Sequence, residues 1–282
     1  MNAVLRCSPD ITTVPALARR HPLALTPFLG ATVLEHALSA LAAEGVKHVR
    51  IEATDRVDEL RHITGRGEAW GLEIQFSDDA PDPLPPARIV ELDRLPQLPN
   101  QPLWRTYRDW YSAQLALLPA MANRRVGMRE MAPGVFVGLR TRVDPSATLL
   151  GPCWIGANIS IGSRAVVGPG TVIEDGSYID SSAEVSGSIV GPQTYVGAFT
   201  EVRNSFAWGR DLLNLDTGSL TEVSDRFLLA GLQRRPGAWG GIGEAVRILF
   251  RGLPSRQGIT NAIQLPGRNV TIKSAPGNSP AT

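Results

Sequence analysis

The sequence predicts an α/β domain followed by a parallel β-helix, and three observations predict it. First, an aliphatic residue returns every sixth position through Val137, Val143, Leu149, Ile155, Ile161, Val167, Ile173, Ile179 and Val185, then loses one residue and resumes at Val190, Val196 and Val202. Second, a small residue stands four places after most of these, at Ala147, Cys153, Ala165, Thr171, Ser177, Ala183, Thr194 and Thr200. Third, the residues before this stretch alternate strand-like and helix-like patterns, the order of βαβ units and a parallel sheet.

A helix repeats every ~3.6 residues and a strand every ~2, so neither produces a period of six. A chain that turns a corner every six residues does. Each aliphatic then fills an interior corner, the small residue fits the narrow side, and the glycine that often follows the aliphatic is expected to supply the backbone angles of the bend. Such glycines are Gly156, Gly162, Gly168, Gly191 and Gly197. With three hexads per turn, the period spans about four coils.

In the first part, a short strand at residues 3–5 is followed by a helical stripe of Val33, Leu34, Ala37, Leu38, Leu41 and Ala42, with Thr32 as N-cap and Gly45 as stop. A strand is expected at residues 46–53, a short helix at 57–63, and further strands at 72–76 and 87–92, the last two separated by the acidic, proline-rich stretch DDAPDPLPP. Residues 102–119 read as a helix bearing aromatic residues that pack in the core. The expected divisions are an α/β domain at 1–101, a connecting helix and linker at 102–130, the repeat at 131–208, and a cap and tail at 209–282.

The chain has 282 residues and a net charge of +1, so no global field recruits nucleic acid, and none is expected as a partner. Two cysteines, Cys7 and Cys153, form no disulfide framework; Cys153 occupies a small inward position of a hexad and reads as packing. No stretch of signal-peptide or membrane-spanning length is present, and a cytoplasmic location is expected. Residues 226–256 carry six arginines against Glu244. They could rest on an anionic membrane surface, but a helix capping the open end of the β-helix is the preferred expectation. The end, SAPGNSPAT, has the composition of a disordered tail.

Residues 22–51, PLALTPFLGATVLEHALSALAAEGVKHVRI, together with WGLEIQF at 70–76, resemble the sugar-nucleotide pyrophosphorylases, a nucleotidyltransferase family. Pro27, Gly30, Leu34, Glu35, His36, Leu41, Gly45 and Val46 carry the resemblance. It implies a Rossmann-like nucleotidyltransferase domain, here truncated, ahead of a left-handed parallel β-helix. It also implies a role in nucleotide-sugar and cell-surface polysaccharide metabolism, with nucleotides, sugar phosphates or nucleotide sugars as partners and Mg²⁺ as cofactor. Self-association through the flat β-helix faces is expected as well.

The family joins two anionic phosphates, which needs positioning and positive charge. Its glycine-rich loop should follow the first strand, but RCSPDITTVPA contains no glycine before Gly30, and Pro9 lacks an N–H. Where the family has a lysine after proline, Leu23 stands. Arg19 and Arg20 lie nearby and read as exposed, solvated side chains. Of the two metal-holding aspartates, the first corresponds to Asp93, after RIVEL, and the second has no counterpart because the repeat begins too soon. The resemblance therefore implies a shortened relative with impaired or lost catalysis, and no catalytic residue is assigned.

Two alternatives remain open: a non-catalytic oligomeric scaffold or regulator, and a hexapeptide acyltransferase. The latter uses a histidine base, whereas His21, His36, His48 and His62 all precede the repeat.

Overall fold

Ala3, Leu5 and Cys7 are buried and alternate with more exposed neighbours, and this period of two makes Asn2–Cys7 a strand, β1. The computed structural model describes residues 1–7, 12–77, 88–122 and 125–232, all within a compact unit running from Met1 to Gln233.

After β1 come a short helix α1 (Pro15–Ala18), the two-residue strands β2 (Pro27–Phe28) and β3 (Ala31–Thr32), and helix α2 (Val33–Ala43). The expected cap is present as a full capping box: the Thr32 side chain accepts from the Glu35 amide, and the Glu35 carboxylate accepts from the Thr32 amide. Strand β4 (His48–Ala53), helix α3 (Val57–Thr64) and strands β5 (Glu73–Phe76) and β6 (Arg88–Glu91) follow. Each lies within two residues of its expected place. The proline-rich stretch at 78–86 lies outside the described residues.

The four strands form an all-parallel sheet in the order β5-β4-β1-β6. The chain steps outward from β1 on one side and then crosses back to place β6 on the other. Val33, Leu34, Ala37, Leu38 and Leu41 of α2 bury their stripe within the core that holds Ala3, Leu5, Val49 and Ile51.

From Val135 the chain winds. Short strands fall into three parallel ladders, and each strand pairs with the one 18 residues on: Cys153 with Thr171, Ser160 with Tyr178, Thr148 with Val166. Beyond the lost residue the step becomes 17, as in Tyr178 with Tyr195 and Glu184 with Glu201. All three ladders shorten together, so the deletion costs no register. The hexad aliphatics, from Val137 to Val202, make a second core enclosed by the ladders.

The structure corrects one expectation for this segment. The glycines after the aliphatics do not make the bends, apart from Gly168 with its φ of +100°. The bends fall three residues after the aliphatic, where Arg140, Asn158, Arg164, Ser182, Gln193 and Phe199 all take positive φ. The glycines are needed for close approach instead. A Cβ on Gly138 would stand 2.7 Å from the Gly156 carbonyl carbon, and one on Gly162 2.7 Å from the Ser181 amide. The next coil leaves no room for a side chain.

Helix α4 (Tyr107–Ala122) buries Trp110, Tyr111, Leu117 and Leu118. It belongs to a core that also contains Trp154, Val172, Ile189 and Phe206. These four are successive rungs of one ladder, facing away from the coil interior. Trp110 meets Phe206 edge-on with centroids 4.9 Å apart, and the Tyr111 hydroxyl donates to the Gly170 carbonyl at 2.8 Å. The aromatic stripe is core, as expected, and it joins the α/β sheet to the coil.

The coil ends in antiparallel strands. Asp211–Asn214 pairs with Ser205–Trp208, Leu220–Glu222 extends that ladder, and Leu229–Gly231 pairs with Thr194–Val196. Of the capping helix expected at residues 226–256, the described part is not helical: Leu229–Gly231 is a strand paired to the coil, and the remainder, with the tail at 274–282, lies outside the described residues. No helix among the described residues is long and apolar enough to cross a membrane.

Candidate functional site

Among the described residues, two candidate places for a ligand are the carboxyl ends of the sheet, where the sequence resemblance points, and a cavity where the sheet domain meets the coil.

At the carboxyl ends, Arg6 of β1 lies between its register partners on β4 and β6. It donates to Glu52 at 2.9 Å and to Glu91 at 3.0 Å. Both pairs are half-exposed, so they contribute little stability but occupy the guanidinium. Asp93 follows β6, as expected. Its carboxylate is 47% exposed and lies 3.4 Å from the Arg94 guanidinium, while its carbonyl accepts from the Leu103 amide. Among the described residues, no three His, Cys, Asp or Glu side chains gather into a metal-holding group. A single carboxylate facing its own neighbour's cation does not fit a divalent ion that wants several oxygen ligands.

Leu23, where the sequence resemblance implies a lysine, is 2% exposed and belongs to the core. Arg19 is exposed. Arg20 is not a free solvated side chain: it pairs with Asp211 at 2.9 Å and stacks 5.0 Å over Trp208. Of the loop after β1, residues 8–11, including Pro9, lie outside the described residues.

The second place is built around Glu174. In one column of the coil, a residue follows each aliphatic: Gly138, Gly156, Glu174, Gly191. Their amides donate in series to the carbonyl of the next coil's aliphatic or its neighbour, at 2.7–2.9 Å. Glycine is the rule here, and Glu174 is the exception. Its carboxyl reaches the turn between β2 and β3, where Oε2 accepts from the Gly30 amide at 2.7 Å. The Leu29 backbone also lies close enough to favour the charged carboxyl, but the other oxygen, Oε1, is buried and has no hydrogen-bond partner of good geometry.

The turn is shaped for that contact. Leu29 and Gly30 take φ of +50° and +80°. A Cβ at Gly30 would overlap Arg125 Nη1 and force that guanidinium to move, and the φ of +80° itself favours glycine. Arg125 in turn pairs with Asp175 at 2.5 Å and sits 5.6 Å from the Trp154 ring. The second Asp175 oxygen accepts from the Ala157 amide at 2.8 Å.

Glu174 is 1% exposed. Burial, reinforced by the neighbouring Asp175 carboxylate, pushes its pKa up to about 8; the backbone hydrogen bonds and Arg125 pull it down, but less. The carboxyl therefore keeps its proton at neutral pH. His36 is also buried, and burial lowers its pKa. The Phe28 carbonyl 2.6 Å away can only accept, so Nε2 carries the proton of a neutral ring.

Around Glu174 lies a cavity of about 330 Å³, at the small end of ligand pockets. Its apolar wall comes from Leu25, Pro27, Ala31, Ile63, Pro192 and Trp208; Thr32 and Glu35 add the start of α2, and His21 the rim. His21 Nδ1 lies 3.1 Å from Glu59.

Sequence reasoning did not single out Glu174 and Asp175. The signal was there: Glu174 stands in a column that otherwise holds Gly138, Gly156 and Gly191, and a second acid follows it. In comparisons with known proteins, no family model and no curated protein matches this chain.

Proposed function

We propose that this chain is a nucleotidyltransferase-family protein of nucleotide-sugar and cell-surface polysaccharide metabolism, with a shortened sheet domain that has lost catalysis, joined to a left-handed parallel β-helix. The observation that carries the reading is the all-parallel order β5-β4-β1-β6. Such sheets bind ligands outside the carboxyl ends of the strands, where the strand order reverses, and here the reversal lies between β1 and β6. The segments that resemble the family supply α2, β4 and β5 of that same sheet. The left hand of the β-helix rests on the same resemblance; the 18-residue coil supports the β-helix itself.

Lost catalysis is supported by the chemistry at the expected positions. Leu23 offers core packing in place of a phosphate-facing charge. Asp93 faces Arg94 and offers a poor Mg²⁺ site, so no step is derived through a metal. What the domain retains is the parallel sheet with its switch point between β1 and β6, the place at which such a sheet would bind a nucleotide or nucleotide sugar.

The test uses the purified full chain with Mg²⁺, nucleoside triphosphates, sugar 1-phosphates and nucleotide sugars. The expected result is a raised thermal midpoint with a nucleotide or nucleotide sugar, by mass action on the folded state, and no release of pyrophosphate. Turnover would overturn the loss of catalysis, and absence of any shift would remove the family function.

A second reading, an oligomeric scaffold, is favoured by apolar side chains left on the coil surface: Leu139 is 55% and Phe199 78% exposed. Light scattering that gives a monomer would remove it.

A further inference from the structure

We propose that the cavity at Glu174 is a binding site for a small organic cation, a primary ammonium on a short apolar stem, with Glu174 as its counter-ion. The inference goes beyond the nucleotide reading and does not rest on it, because the cavity is formed jointly by the turn after β2, the start of α2 and the coil.

Charge selects the ligand class. The wall carries the carboxyls of Glu35, Glu174 and Asp175, and among the described lining residues neither lysine nor arginine. The two guanidiniums that adjoin it, Arg125 and Arg20, are engaged by Asp175 and Asp211. A phosphate or carboxylate ligand would face three carboxyls there, with only Thr32 and the His21 rim to set against them. A cation meets partners, because Glu174 Oε1 is buried without one. A buried polar atom left unmatched is costly, and native structures rarely keep one without reason. An ammonium at Oε1 supplies both the hydrogen bond and the opposite charge.

Shape selects the stem. Leu25, Pro27, Ala31, Ile63 and Pro192 offer an apolar wall, and Trp208 an aromatic one that already attracts the Arg20 guanidinium. The volume of about 330 Å³ admits a ligand of several carbon atoms.

Binding of an ammonium is coupled to a proton. The carboxyl enters the complex protonated and leaves its proton to solvent, so the ammonium ends paired with a carboxylate. Several groups act on Glu174: the Leu29 and Gly30 backbone from the β2–β3 turn, Asp175 from its own strand end, and Arg125 from beyond α4, while Glu35 of α2 lines the same cavity. Arg125 and Asp175 neutralise each other, which leaves Glu174 as the group whose ionisation a cation would draw out.

Calorimetric titration of the full chain with n-butylamine and benzylamine tests this, with 1-butanol and benzyl alcohol as uncharged counterparts. At pH 7, in phosphate and in HEPES, the amines are expected to bind and release close to one proton. Their affinity should rise up to about tenfold per pH unit between pH 6 and 8. The alcohols should bind at least tenfold more weakly. Glu174→Gln keeps an oxygen for the Gly30 amide; it should abolish both the proton release and the pH slope. Ile63→Trp, at the exposed rim, should block the cavity and remove binding without touching the core. Absence of amine binding, equal binding of the alcohols, no proton release, or unchanged binding in both variants would each overturn the proposal.

Discussion

The Gly30 amide donates to Glu174 Oε2 across 2.7 Å, fastening the β2–β3 turn to the third coil of the repeat. A carboxyl buried this deeply behaves differently on the two sides of its own titration, and stability should record that. The folded-state pKa is raised to about 8, from an ordinary value of 4.5. The folded chain therefore holds a proton that the unfolded chain has released. Glu174 is least costly below pH 4.5, and its contribution is lost progressively as pH rises from 4.5 to about 8, by up to ~1.4 kcal/mol per pH unit. Urea unfolding of wild type and Glu174→Gln at pH 5 and pH 8 checks this. The variant should gain relative stability at pH 8, and equal offsets at both pH values would contradict the assignment.

The glycine column gives a second prediction. Gly156 has an ordinary φ, but an added Cβ would collide with Asp175 Oδ1. Gly156→Ala must displace Asp175 and disturb its pair with Arg125, at an expected cost of about 1–3 kcal/mol. Gly45 is the control: a Cβ there would meet nothing within 4 Å, although its φ is +83°. Gly45→Ala should therefore cost only the backbone strain, about 1–2 kcal/mol. Melting curves of the two variants in Glu174→Gln and wild-type backgrounds separate them, since only Gly156→Ala should couple to the Glu174 and Asp175 contact.

The hexad made the coil legible because its period repeats through many residues, and each aliphatic enters the same enclosed core. The N-cap Thr32 likewise placed the start of α2 to the residue. The outward ladder of Trp154, Val172, Ile189 and Phe206 was harder to see. A strand residue between two inward ones normally meets water, and only contact with α4 makes it core. The cavity was less legible still. It needs Gly30 and Glu174 side by side, 144 residues apart in sequence, and no local pattern encodes that meeting.

Trp154 tests the junction. It is fully buried, faces α4 rather than the coil interior, and carries Arg125 against its ring. Trp154→Ala should cost about 3–5 kcal/mol and loosen the sheet domain from the coil. Limited proteolysis is expected to cut near α4 in the variant before the coil is attacked. Loss of the coil at the same rate would mean that the two parts unfold together.

Leu23 tests whether the lysine that the sequence resemblance implies could be accommodated in this fold. It is 2% exposed within the core of the sheet domain, beside Ala24 and Leu25, which are also buried. Leu23→Lys places an ammonium among apolar side chains, where burial favours the neutral form and an unpaired charge costs several kcal/mol. The variant should lose stability at pH 7 and regain part of it at pH 10, as the introduced amine gives up its proton. Nucleoside triphosphate with Mg²⁺ should not rescue it, and no pyrophosphate should appear. If the position instead faced a phosphate pocket, triphosphate would raise the variant's midpoint above that of wild type under the same conditions. Midpoints measured with and without triphosphate at the two pH values separate a core leucine from a vacated lysine.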